Sequence, residues 1–175
     1  MSAADELVDV IDDAGLTVGV VTRREMRERK LPHRCTYVLV FNSRGELFIH
    51  LRTLTKDVFP NYWDVCVGGV LSAGESFAVG VKREILEELG IDADATELFP
   101  FWYRGPASFA HGMVYRLDHD GPFQLQVEEI VCGEFARIDG VLERVKNEPF
   151  CPDGVDVLNQ FLKFTFSARM APRER

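Results

Sequence analysis

Cysteine is scarce: four in 175 residues, and none of them forms a Cys-x-x-Cys pair. A secreted disulfide scaffold would be denser in cysteine, and a structural zinc site would show paired ligands. Cys35, Cys66 and Cys132 lie in apolar stretches, so free thiols in a reducing cytoplasm are the expectation. No stretch approaches the run of about 18 apolar residues that a membrane span needs. The start, MSAADELVDV, is acidic and has no cationic segment, so neither a span nor a signal peptide is expected. Positive charge is also in deficit, with 20 Lys+Arg against 28 Asp+Glu and a net charge of -8. A protein that grips a nucleic-acid polymer through its phosphates needs a basic footprint, so that class of partner is not expected. Phosphorylated small molecules remain open, because bound divalent cations reverse the local field. Repeats, low-complexity tracts and linkers are lacking as well.

What is there is an ordinary globular composition: 46% hydrophobic and 27% charged, with thirteen Phe, four Tyr and two Trp. That excludes intrinsic disorder and suffices for one core in one domain. LVDVID and LTVGVVT read as strands around Asp13-Ala14-Gly15, followed by a short charged helix, RREMRERK, with a solvated face, stopped by Pro32. CTYVLVF (35–41) and ELFIHLR (46–52) flank Asn42-Ser43-Arg44-Gly45 as a hairpin. WDVCV reads as a short strand ending at Gly68-Gly69. From Ser76 to Leu89 the period changes: Phe77, Val81, Ile85 and Leu89 recur every four residues, Ala78 lies on the same side, and Gly90 stands at the helix end. Strands near ELFPFWYR, GMVYRL and IVCGEFA follow, then helices near 138–147 and from Asp153 to about Phe166. Together they predict an α/β sandwich with a mixed sheet.

One helix concentrates the chemistry. Glu84, Glu87 and Glu88 fall on one face, within an arc of roughly 100°. Like charges at this spacing destabilise a helix, so a compensating cation is expected. Mg²⁺ or Mn²⁺ would serve, since hard ions prefer carboxylate and carbonyl oxygen and bridge to phosphates. Arg83 is placed to hold one carboxylate by a bidentate pair, and Glu75, at the helix N-terminus, to reach Arg83. Alone, E-x-x-E-E reads as a solvated acidic face; its surroundings decide otherwise.

Those surroundings run Gly69-x5-Glu75-x7-Arg83-Glu84-Ile85-x-Glu87-Glu88-x-Gly90-Ile91. The segment resembles the Nudix box at every specified position. HRCTYVLVFNSRGELFIHLRTLTKDVFPNYWDVCVGG, just before it, is similar to a Nudix subgroup that includes isopentenyl-diphosphate isomerase and its hydrolase-like relatives. About residues 30 to 140 are covered. The resemblance implies a single-domain Nudix α/β/α sandwich over residues 31–170, with residues 1–30 packed on the same domain. It also implies Mg²⁺-dependent hydrolysis (Mn²⁺ as the alternative ion) of a diphosphate linkage in a nucleoside diphosphate or a related compound. By position, Glu84, Glu87, Glu88 and the Gly69 carbonyl would ligate metal, with Arg83 and Glu75 as the supporting pair. A further carboxylate from beyond the box would be Glu128 or, preferred, Glu129. Glu84 or Glu129 would take the proton from water, and the sequence does not choose between them.

Other residues complete the expectation. Arg52 and Lys56, ahead of the box, are candidates to contact substrate phosphates. Gly68 and Gly69 stand where isomerases of the subgroup carry a cysteine and a histidine, so Cys66 reads as a buried small residue. His33 falls at an isomerase metal-binding position, but its companion there is Met26, which leaves a hydrogen-bonded structural role. Alternate residues of Phe101-Trp102-Tyr103 read as facing the core. Isopentenyl-diphosphate isomerisation and non-catalytic nucleotide binding are the alternative functions. The N-terminal strands are left either to intramolecular packing or to a homodimer.

Overall fold

Cys35, Tyr37, Leu39 and Phe41 point to one side of a strand and Val38 and Val40 to the other, and every one of them is buried. A strand apolar on both faces must be covered twice, and that sets the layering of the molecule. The computed structural model describes residues 3–170. Its strands are β1 (Leu7–Ile11), β2 (Thr17–Thr22), β3 (His33–Phe41), β4 (Leu47–Arg52), β5 (Trp63–Asp64), β6 (Thr96–Arg104), β7 (Phe109–Asp118) and β8 (Ile130–Ala136). Its helices are α1 (Arg23–Arg29), α2 (Phe77–Leu89), α3 (Ile138–Arg144) and α4 (Pro152–Met170), preceded by a 3-10 turn at Ala3–Asp5. Val81, Ile85 and Leu89 of α2 pack with Val38 and Val40 on one face. Val157, Leu158 and Phe161 of α4 pack with Leu39 and Phe41 on the other. The result is the expected α/β/α sandwich.

The sheet is mixed. β3 runs parallel to β7 from His33↔Ala110 to Phe41↔Asp118, and β6 pairs antiparallel with β7. β4 pairs antiparallel with β8 and β5. β1 joins β3 at Val10↔His33, and β2 lies outside β1. Phe101 and Tyr103 of β6 are buried, as the alternation requires.

The expected hairpin between β3 and β4 forms its turn but not its ladder. Asn42 Oδ1 accepts from the Arg44 and Glu46 amides, yet only Phe41↔Leu47 pair. The strands part because the chain after β5 is wedged against β3. Thr36 N donates to Gly69 O, Val38 N to Val67 O, and Leu71 N to Arg34 O. WDVCV is accordingly a two-residue strand followed by isolated bridges. This wedge places the Gly68-Gly69 pair beside the start of β3. Gly68 has φ 136, and a side-chain carbon there would stand 2.3 Å from the Thr36 carbonyl oxygen, so only glycine fits.

Candidate active site

α2 begins where the Ser76 side chain accepts from the Val79 amide and ends where Gly90 turns left-handed. Its apolar stripe differs at one place from the sequence reading. Ala78 is exposed, and Gly80 instead meets the core so closely that an added carbon would lie 2.0 Å from Leu71 Cδ2. With the stripe fixed, Glu84 and Glu88 are carried along the flank facing Gly68-Gly69 and are buried, while Glu87 stays exposed.

Arg83 organises this flank. Its Nε and Nη2 take the two oxygens of Glu75 at 2.9 Å each, and its Nη1 reaches Glu84 at 2.8 Å and Glu87 at 2.9 Å. The guanidinium therefore serves three carboxylates, not one, and holds Glu75 below its ordinary pKa. Burial pushes Glu84 up to about 7 against the pull of Arg83. Burial, with Glu84 close by, pushes Glu88 well above the carboxylate range. Glu88 accepts from the Gly68 amide at 3.3 Å and hydrogen-bonds to Glu129. Burial would raise Glu129 too, but the Lys56 ammonium bonded to it holds it below its usual value. Glu128 is exposed, its backbone carbonyl accepting from Thr53 and Thr55.

Glu84, Glu88 and Glu129 are thus brought together from two distant stretches, with Glu87 at the rim. Gly69 lies against them: a side-chain carbon there would stand 2.6 Å from Glu84 Oε1. Its carbonyl accepts from Thr36 N, which leaves one lone pair. Among the described residues no three His, Cys, Asp or Glu side chains stand in metal-coordinating array. Arg83 and Lys56 occupy the carboxylates in that role. The donor set is nonetheless all hard oxygen, the kind Mg²⁺ and Mn²⁺ take, and glycine at 69 keeps a side chain out of the space beside it.

Gly68 and Gly69 also form one wall of a cavity. Arg23 and Arg27 of α1, Lys56, Asp57, Arg52, Asp64, Cys66 and Asp153 line it as well. The reading of α1 as a solvated face is corrected here. Met26 is buried, and Arg23 and Arg27 turn inward to share the Asp57 carboxylate at 3.5 and 3.0 Å. The two basic residues expected near phosphates both line the cavity and are largely buried: Lys56 is bonded to Glu129, and Arg52 is held against Asp64 at 3.5 Å and the Val58 carbonyl at 2.9 Å. His33 is buried with Nδ1 2.9 Å from the Leu31 carbonyl oxygen, and burial with Arg27 nearby lowers it to about 4. Cys66 is buried and its thiol pushed well up, so it is no thiolate.

No motif in the sequence marks Asp64 or Asp153 as a site residue. The signal for Asp64 was a lone carboxylate in the apolar run WDVCV. Asp153 carried only its signal as a helix start. Burial raises both, Asp64 to about 6 against the pull of Arg52.

The family model for the NUDIX domain matches residues 31–150. An uncharacterized Nudix hydrolase of Pseudomonas aeruginosa is 40% identical over 158 residues, covering 90% of this chain and 94% of the relative. A crystal structure from Deinococcus radiodurans superposes with a TM-score of 0.77 at 27% identity, covering 89% of this chain and 98% of that one. The NUDIX domain of Shewanella oneidensis NrtR, solved with ADP ribose, superposes at 0.62 with 15% identity, covering 82% and 98%. No helix among the described residues is long and apolar enough to cross a membrane.

Proposed function

The chain belongs to the Nudix hydrolase family, and from that premise we propose that it cleaves the diphosphate linkage of a nucleoside diphosphate or a nucleoside-diphosphate-linked compound with Mg²⁺ or Mn²⁺. The observation that carries this reading is the gathering of Glu84 and Glu88 against Gly68-Gly69, with Glu129 bonded to Lys56, and of Arg23, Arg27 and Lys56 along the cavity that the two glycines also line. Glu84, Glu87, Glu88 and the free lone pair of the Gly69 carbonyl would hold the ion. Bound there, it would supply charge neutralisation for the diphosphate and acidify a water. Arg23, Arg27 and Lys56 bind the phosphate oxygens, displacing Asp57 from the two arginines. Arg83 orients Glu84 and Glu87, and its bidentate grip on Glu75 fixes its own position. Glu129 serves as the base in this reading: Lys56 keeps it ionised, and it is not among the residues that would hold the ion. The ADP ribose bound by the Shewanella domain supports a nucleoside-diphosphate-linked substrate.

The N-terminal strands and α1 work with the hydrolase domain as one unit, since α1 supplies two of the phosphate-binding cations. A reducing cytoplasm suits the free thiols of Cys35, Cys66, Cys132 and Cys151.

The test is a screen of nucleoside diphosphates, sugar nucleotides, dinucleotides and coenzymes with Mg²⁺, reading released phosphate and nucleoside monophosphate. Metal-dependent turnover that EDTA abolishes is expected. Tight nucleotide binding without turnover under any divalent ion would instead make the protein a binding module.

A further inference from the structure

Lys56 and Asp57 stand side by side in the loop between β4 and β5 and serve different partners. Lys56 bonds Glu129, whereas Asp57 reaches α1. There its Oδ2 accepts from Arg27 Nε at 3.0 Å and lies 3.5 Å from Arg23 Nε. One carboxylate oxygen is thus shared by two guanidinium groups on the cavity, as an oxygen of a bound phosphate would be. Burial would raise the pKa of Asp57, but Arg27 and Arg23 hold it below its usual value, so it is ionised. Glu6 also approaches the pair, at 3.6 Å from Arg23 Nη1, and leaves both Nε groups to Asp57.

The loop presents this carboxylate at a cost. Phe59, two residues on, has φ 52. A bulky side chain is rarely found in the left-handed region, and such strain persists where surrounding contacts impose it, often beside a binding site. The contacts here are Arg52 on the Val58 carbonyl at 2.9 Å and the Phe59 ring against Tyr62, with centroids 5.6 Å apart.

We propose that Asp57 is a tethered competitor for the phosphate site of Arg23 and Arg27, so that phosphate ligands are held more weakly than the two arginines alone would hold them. This rests on the reading that these arginines take phosphate oxygens. A carboxylate on the same chain competes at a high effective concentration. Once displaced, it stays near enough to repel the incoming anion. Both effects lower affinity for every ligand that needs the pair. Anions that bind weakly to begin with are kept off, and a cleaved monophosphate, with fewer contacts than a diphosphate, is released sooner.

The test uses methylenediphosphonate, a diphosphate analogue with a carbon bridge that cannot be hydrolysed, in Mg²⁺ buffer, with binding read by titration calorimetry on the intact protein. Asp57→Asn keeps an acceptor oxygen for the arginines and removes the charge. It is expected to bind the analogue about fivefold more tightly than the wild type, the value of a charged hydrogen bond discounted for the partial exposure of Asp57. Asp57→Ser should act in the same direction and serves should the asparagine variant fail to fold. Glu28→Gln removes one charge from an exposed position on the same helix and should change affinity by less than about twofold. Unchanged or weaker binding in the Asp57 variants overturns the proposal, as does an equal gain in Glu28→Gln, which would make the effect one of net charge. The reading of α1 is judged by Arg27→Gln alone. That variant should bind the analogue more weakly than the wild type, and no loss there takes α1 out of the phosphate site whatever the Asp57 variants do. Hydrolysis itself is judged by the turnover screen.

Discussion

A side-chain carbon at Gly69 would stand 2.6 Å from Glu84 Oε1, whereas one at Gly68 would stand 2.3 Å from the Thr36 carbonyl oxygen. Neighbouring glycines are therefore required for different reasons. Thr36 is backbone of a central strand and cannot yield, but the Glu84 carboxylate can swing aside. Gly69→Ala should fold with a loss under about 1 kcal/mol and yet lose most turnover, because Glu84 is displaced. Gly68→Ala should lose about 1–3 kcal/mol from its backbone angle alone, and more from the overlap. Urea midpoints and kcat of the two variants, side by side, check this.

Glu88→Gln should separate activity from stability. The fold raises the pKa of Glu88 above its unfolded value, so the ionised form is disfavoured in the native state. The sign is that stability falls as pH climbs above the ordinary carboxylate range, and an uncharged isostere escapes the penalty. In EDTA at neutral pH the variant should melt higher than the wild type, while its kcat with Mg²⁺ drops by orders of magnitude. A lower melting temperature together with near-normal turnover would refute both halves.

Glu129→Gln addresses the choice of base. Its kcat should fall by about 10²–10⁴-fold, the usual contribution of a positioned base, with KM little changed. Steady-state kinetics across pH settle the matter: a surviving acid limb in this variant would move the role to Glu84.

Arg83→Ala removes the partner of two carboxylates that are nearly shut off from water, Glu75 and Glu84. Leaving such groups unpaired costs about 3 kcal/mol. Arg83→Lys should recover little of it, since an ammonium lacks the planar fork that spans both oxygens of Glu75. Denaturant unfolding of the three proteins measures the difference.

Two buried histidines should make the fold acid-sensitive. Burial lowers His33 to about 4 and His50 to about 3, against an unfolded value of 6.5. The unfolded chain therefore binds the extra protons, so the histidines' contribution is full above pH 6.5 and declines as pH falls toward 4, opposite in sign to that of Glu88. Each histidine contributes a slope approaching 1.4 kcal/mol per pH unit. Urea midpoints between pH 7 and 5 should decline less steeply in His33→Gln than in the wild type.

Much of this architecture was legible before any coordinates. The period of Phe77, Val81, Ile85 and Leu89, closed by Gly90, gave α2 to within a residue, and the box spacing brought Arg83 to Glu75. The apolar run CTYVLVF gave a strand, and the structure adds that it is buried on both faces. What stayed hidden was everything set by distant chain crossing. The wedge of residues 67–71 beside β3 opens the expected hairpin, and no local pattern encodes it. The inward turn of Arg23 and Arg27 depends on Asp57, thirty residues away in a loop. Asp64 and Asp153 meet only because β5 and the start of α4 converge, so a helix-start signal concealed a cavity residue.

Because Arg83 already ties Glu75, Glu84 and Glu87 together from within, the acidic flank does not depend on an outside ion to stay assembled. A preparation stripped with chelator should keep its shape in storage and recover turnover once the ion is returned. The guanidinium, already in place, would go on orienting Glu84 and Glu87 when they hold the ion.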